Sequence, residues 1–270
     1  MDFIRHGVFW KRWNRPGCNR MRRDNRPVVM NFTGIYEKET FYRSEKICWI
    51  DCRDVHGTNC YCDEEAEQIL TERIRSFPPE GIHFIDSGNY HYMTKLWTDK
   101  MKRPFVLILI DHHPDAQPSL FENLLSCGCW VGRMLDENPY VRKVVLLGAE
   151  DSLVEGLPER YRNRIASYNE EAVVHDQIWK EFREKHIDAP VYLTIDKDIL
   201  DPSQVKTNWN QGKMKLADLK KVIRLIVQHE EVAGIDICGE CTGSVLEEAE
   251  CGEVEQDDRV NASLLRILER

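Results

Sequence analysis

The 270-residue chain is 42% hydrophobic, enough for a substantial core, and its length is normal for a single large α/β sheet. A formal charge of −9 argues against a nucleic-acid-binding body. No apolar stretch approaches the roughly 18 residues of a membrane-spanning helix, and no apolar core follows the charged N-terminus as in a secretory signal, so a cytoplasmic protein with reduced cysteines is expected.

The first 26 residues carry Arg5, Lys11, Arg12, Arg15, Arg20, Arg22, Arg23 and Arg26 against Asp2 and Asp24, and read as a basic arm ahead of one domain over 27–270. Interleaved aromatics would let such an arm touch RNA, an anionic surface or a neighbouring subunit; a packing extension is the plainer reading. Val28 to Phe32 and Ile47 to Asp51 are predicted as strands and Asp63 to Phe77 as an amphipathic helix. Continuous apolar runs at Ile82 to Ile85, Phe105 to Ile110, Val144 to Leu147 and Val191 to Ile195 predict strands covered on both faces. Val174 to Lys185, Leu216 to Gln228 and Gln256 to Glu269 are predicted helices. This alternation predicts an α/β fold, a largely parallel central sheet between two helical layers.

Three of the apolar runs lead into acid and imidazole side chains in the pattern of a two-metal site. Asp111-His112-His113-Pro114-Asp115 follows Phe105 to Ile110, Asp196-Lys197-Asp198 follows Val191 to Ile195, and Gly88-Asn89-Tyr90-His91 lies shortly after Ile82 to Ile85. On an extended chain Asp111, His113 and Asp115 share a side, as do Asp196 and Asp198, while His112 and Lys197 face away. Pro114 biases His113 towards the extended region. The carboxyl ends of parallel strands are where such folds bind ligands. Four carboxylates gathered there raise one another's pKa, and divalent cations would remove that penalty. Carboxylates with two imidazoles and no thiolate suit a hard ion such as manganese. His112 is expected to hydrogen-bond behind the site. Cys48, Cys52, Cys60 and Cys62 lack the paired spacing of a zinc module, and Cys238-Gly239-Glu240-Cys241 lacks the context of a redox motif.

On these motifs the chain resembles the ureohydrolase family of arginase, agmatinase and formiminoglutamase. Asp111 to Asp115 matches its Asp-Ala-His-x-Asp element, Thr194 to Pro202 its Ser-x-Asp-x-Asp-x-x-Asp-Pro element and Gly88 to His91, more loosely, its Gly-Gly-Asp-His element. The resemblance implies an arginase-like three-layer fold and two manganese ions per chain. One would be held by His91, Asp111, Asp115 and Asp196, the other by His113, Asp111, Asp196 and Asp198. It further implies a bridging hydroxide, oriented by Asp115, that attacks a guanidinium or amidine carbon.

Three departures bear on the substrate. The family's loop histidine is replaced by Ser126-Cys127-Gly128-Cys129-Trp130, leaving Cys129 as a substrate-side or proton-moving candidate. Leu153 stands where arginases offer an aspartate to an amino-acid head group. Glu240 falls one residue after the family's substrate glutamate, so a bulge at Gly239 would be needed to aim it, with Asp236 as the fallback contact. The expectation is a small-molecule hydrolase of linear, non-peptide carbon–nitrogen bonds that can form a homo-oligomer. The alternatives are a metal-binding regulatory protein without turnover and a two-metal phosphoesterase, for which Arg133 is the available cation.

Overall fold

The computed structural model describes residues 26–43, 45–119, 121, 124–174, 187–244, 247–248 and 251–269. The expected basic arm, Arg26 apart, and residues 175–185 of the expected helix Val174 to Lys185 lie outside them.

The strands are β1 (Val28–Asn31), β2 (Cys48–Asp51), β3 (Tyr61–Cys62), β4 (Gly81–Phe84), β5 (Phe105–Ile110), β6 (Leu125–Ser126), β7 (Val141–Gly148), β8 (Ile165–Asn169), β9 (Val191–Asp196) and β10 (Val232–Cys238), of which β1, β2, β4, β5, β7 and β9 fall on the predicted segments. Eight of them make one sheet in the order β2-β1-β4-β10-β9-β5-β7-β8, with every pairing parallel. β5 explains why its run has no polar alternation. All six residues are buried, with Leu107 and Leu109 in one core and Val106, Ile108 and Ile110 in the other. Burying those side chains contributes on the order of 10 kcal/mol before chain entropy is counted. The helices Glu64–Arg73, Met93–Thr98 and Trp130–Glu137 cover the first face through Leu70, Trp97 and Met134. Leu216–His229 and Cys251–Leu268 cover the second through Val222, Ile226 and Leu264. The expected three-layer α/β/α fold with a parallel sheet is the fold observed.

Element boundaries move for local reasons. The helix expected over Asp63 to Phe77 has Asp63 as its N-cap, accepting from the Ala66 N–H at 2.8 Å, and ends at Arg73, ahead of Pro78 and Pro79. β7 starts three residues before the expected Val144, because Arg142 and Lys143 lie exposed at its outer end. β8, an edge strand of half-buried residues, has no apolar run to announce it.

The strand order sets β4, β10, β9 and β5 side by side at the centre of the sheet. The segments leaving their carboxyl ends, 85–91, 239–241, 197–201 and 111–115, therefore meet above one place.

Candidate metal centre

Each polar side chain is aimed by a turn just beyond a strand. After β4, Asp86 takes a left-handed conformation (φ 66°), and its carboxylate accepts from the Phe32 and Thr33 N–H groups at 2.9 Å. The 3-10 turn Gly88–Tyr90 then ends on His91. After β5 the chain bends at His112 and His113, and Asp115 is left-handed (φ 48°). The expected convergence of Asp111, His113 and Asp115 is thus made by a turn and not by extended alternation. Trp130 Nε1 donates to Asp115 Oδ2 at 2.7 Å and fixes that carboxylate. After β9, Asp196 Oδ1 accepts from the Asp198 N–H at 2.9 Å and Asp198 Oδ1 from the His112 N–H at 3.1 Å. All six predicted metal-ligand side chains come together.

Two ligand groups share this place. His91 Nδ1 lies 3.1 Å from Asp115 Oδ2, 3.3 Å from Asp111 Oδ2 and 3.5 Å from Asp196 Oδ2. His113 Nδ1 lies 2.7 Å from Asp198 Oδ2 and 3.6 Å from Asp111 Oδ1. Burial first, and then the charge of neighbouring carboxylates, raises Asp111, Asp196 and Asp198, the last to about 7. These residues fit divalent cations on a structural test. His91 Nδ1 is buried without a hydrogen-bond partner, while Nε2 sits 2.9 Å from Thr194 Oγ1. With Nε2 donating to Thr194, Nδ1 presents a lone pair to the carboxylates, the usual arrangement of a ligating imidazole.

A cavity of about 390 Å³ opens over Asp111, His113, Asp115, Asp196 and Asp198. Cys60, Tyr61, Cys127, Cys129, Leu153 and Trp209 form much of its wall. Leu153, expected on the substrate side, lines the cavity. Cys129 reaches the wall, but its thiol donates to the Leu124 carbonyl. Nothing in the sequence marked Trp209, whose Nε1 donates to Asn89 Oδ1 at 2.8 Å and whose ring lies 6.3 Å from that of His113.

Two expected substrate contacts are not in the cavity wall. Gly239 is left-handed (φ +99°), but the turn sends Glu240 to the opposite side of β9, where its fully buried carboxylate meets Lys197 Nζ at 2.6 Å. Gly239 itself occupies the site side: a Cβ there would come within 2.5 Å of Asp196 Oδ1 and 2.7 Å of the Lys197 N. Asp236 is inside the sheet layer, 2.7 Å from His83 Nδ1 and accepting from the Tyr192 hydroxyl at 2.9 Å. His112 also departs from expectation. Its Nδ1 is buried without a partner, and its contribution to the site is the backbone N–H. Arg133 pairs with Glu137 and does not line the cavity, so the phosphoesterase reading loses its cation.

Lys197 faces away from the ligands, as alternation predicts, yet it is fully buried against Glu240, Asp257 and Asn261. The remaining addition is Cys238. Its buried Sγ is 3.2 Å from Asp196 Oδ2, and it forms with His91 and Asp196 a third group of possible ligand atoms.

This parallel sheet with acids and imidazoles at its central strand ends defines the architecture of a ureohydrolase-type protein. A sequence model of the arginase family matches residues 13–241, and the chain belongs to that family. It is 30% identical over 244 residues to an uncharacterized protein of Thermotoga maritima, covering 89% of this chain and 88% of the relative. In fold it is similar to the proclavaminate amidino hydrolase of Streptomyces clavuligerus, with TM-score 0.68, 13% identity and coverage of 91% and 92% of the two chains. It is also similar to the formimidoylglutamase of Bacillus subtilis, with TM-score 0.64, 14% identity and coverage of 92% and 88%. Among the described residues no helix is long and apolar enough to cross a membrane.

Proposed function

We propose that this chain is a binuclear, manganese-dependent hydrolase of linear, non-peptide carbon–nitrogen bonds, taking a guanidino or amidine group in the cytoplasm. The observation that carries the reading is the pair of ligand groups, one around His91 and one around His113, that share Asp111 beneath a single cavity. His91, Asp111, Asp115 and Asp196 would hold one ion, and His113, Asp111, Asp196 and Asp198 the other. Two such ions supply Lewis acidity and lower the pKa of water from about 15.7 towards 7, giving a nucleophile at neutral pH. Asp115, whose carboxylate is held by Trp130 Nε1, would orient that nucleophile by accepting a hydrogen bond from it. Leu153 and Tyr61 shape the wall for a substrate tail other than an amino-acid head group. Glu240 and Asp236 are not assigned substrate roles, because neither reaches the cavity.

The test is metal content after purification with and without added manganese, together with urea and ammonia release from a panel of guanidino, amidine and formimino compounds. Two ions per chain and turnover that is lost in Asp198→Ala are expected. Two ions without turnover of any such compound would favour the regulatory alternative, consistent with cysteines replacing the loop histidine. No bound metal under either condition would sink the reading.

A further inference from the structure

The six ligands expected to hold manganese contain no sulfur, and the structure brings a thiol, that of Cys238, against them. Asp196 and Cys238 are register partners on the neighbouring parallel strands β9 and β10. Residues so paired send their side chains to the same face of the sheet. Because Asp196 ends β9 facing His91, Cys238 must end β10 facing it too. Its Sγ lies 3.2 Å from Asp196 Oδ2, and Asp196 Oδ2 lies 3.5 Å from His91 Nδ1. A tetrahedral ion with a sulfur at about 2.3 Å and nitrogen and oxygen at about 2.0 Å separates those ligand atoms by roughly 3.3–3.5 Å. The sulfur–oxygen and oxygen–nitrogen separations already fall close to that range, and the sulfur and the His91 nitrogen belong to one group of possible ligand atoms. Independently, His91 Nδ1 is a nearly fully buried nitrogen that makes no hydrogen bond, although carboxylate oxygens of Asp115, Asp111 and Asp196 lie 3.1, 3.3 and 3.5 Å from it. The second group, Asp111, His113 and Asp198, contains no sulfur.

We propose that Cys238 supplies its sulfur as a ligand to the ion held by His91 and Asp196, so that this position takes a thiophilic divalent cation of the zinc, iron(II) or cobalt(II) class. The position around His113 keeps its hard, oxygen-rich character, and the two seats differ in the ion they prefer. This rests on the binuclear centre proposed above and changes the ion at one of its two positions from manganese to a thiophilic one. Chemically, the thiol gives up its proton to solvent as the sulfur–metal bond forms, with no change of oxidation state. The competing account keeps Cys238 as a thiol that donates to Asp196.

X-ray absorption at the zinc edge separates the two accounts without reference to activity. The zinc-loaded chain is expected to show a zinc–sulfur shell at about 2.3 Å beside nitrogen and oxygen at about 2.0–2.1 Å, with one sulfur per pair of ions. Cys238→Ser should lose the sulfur shell while still binding zinc, whereas Cys241→Ser, whose thiol contacts Glu253, should keep it. A wild-type shell of nitrogen and oxygen alone, or a sulfur shell that persists in Cys238→Ser, overturns the proposal. A wild-type spectrum without sulfur overturns the proposal even if Cys238→Ser fails to fold, and Cys238→Ala is a second variant that must lose a sulfur shell where one is present. Two zinc ions without sulfur would remove only the Cys238 ligation, while failure of the wild type to bind any zinc or manganese would remove the metal centre itself.

Discussion

Adjacent residues at the end of β9 have opposite tasks. Asp198 turns to the cavity, and Lys197 turns to a buried cluster of Glu240, Asp257 and Asn261, with Glu39 against Asn261. Burial pushes Glu39 and Asp257 well above the usual carboxylate range, then the charge of Glu240 adds for Glu39, while Lys197 works against the rise in both. Removing the Lys197 cation would leave buried carboxylates uncompensated, so Lys197→Met is expected to destabilise the fold by about 3–5 kcal/mol, read from urea unfolding. A loss under about 1 kcal/mol would mean that the cluster carries protons enough to stand without it. The ligands themselves were legible in the sequence because Asp111, His113, Asp115, Asp196 and Asp198 fall within two short runs behind apolar strands. Cys238 was not, since its role follows from a strand pairing that local sequence does not encode. Glu240 was misread for a related reason. Its direction depends on the left-handed turn at Gly239, and the spacing alone did not reveal on which side of β9 the side chain would emerge.

At the scale of elements, the small antiparallel ladder of β3 and β6 builds one cavity wall and sets Cys60 against Cys127. The Cys127 N–H donates to the Cys60 carbonyl at 2.9 Å, and Cys60 adopts a left-handed conformation (φ 61°) that is uncommon for a residue with a side chain. A hydrogen bond from the Cys127 thiol lowers Cys60 to about 7 and outweighs the opposing effect of burial. A lowered pKa places the thiolate above that value, so Cys60 should be alkylated with a midpoint near pH 7. In Cys127→Ala the midpoint should return to about 8.5. Peptide-resolved mass spectrometry across a pH series measures this, and identical midpoints in the two proteins would refute the pairing. The ladder itself lies beyond sequence reading. Two-residue strands carry no periodicity, and Tyr61 and Ser126 are 65 positions apart. The long strands, by contrast, were legible, because parallel strands buried on both faces need continuous apolar runs such as Phe105–Ile110. Edge strand β8, polar and half-buried, had no such signal.

On the scale of the whole molecule, strand order does what no motif can. β4, β10, β9 and β5 come from four distant stretches of chain, and their adjacency at the sheet centre makes one centre from four strand ends. The alternating pattern foretold layers and parallel pairing, and the order of the strands had to come from the structure. That order also ties the cavity to the far face, because Lys197 reaches through to Asp257 and Asn261 on the Cys251–Leu268 helix while its neighbours Asp196 and Asp198 face the cavity. The helix and the ion seats are thus coupled in series through one strand end. An ion bound at about a thousand times its dissociation constant stabilises the native state by about 4 kcal/mol. Amides whose exchange requires the strand end to loosen will register that stabilisation, and those that open locally will not. Hydrogen–deuterium exchange over 252–268 should therefore slow on ion loading while that of β8 at the sheet edge stays unchanged, and equal slowing in both would deny the coupling. The last helix of the chain, remote from the cavity, would then act as a gauge of whether the seats on the other face are filled.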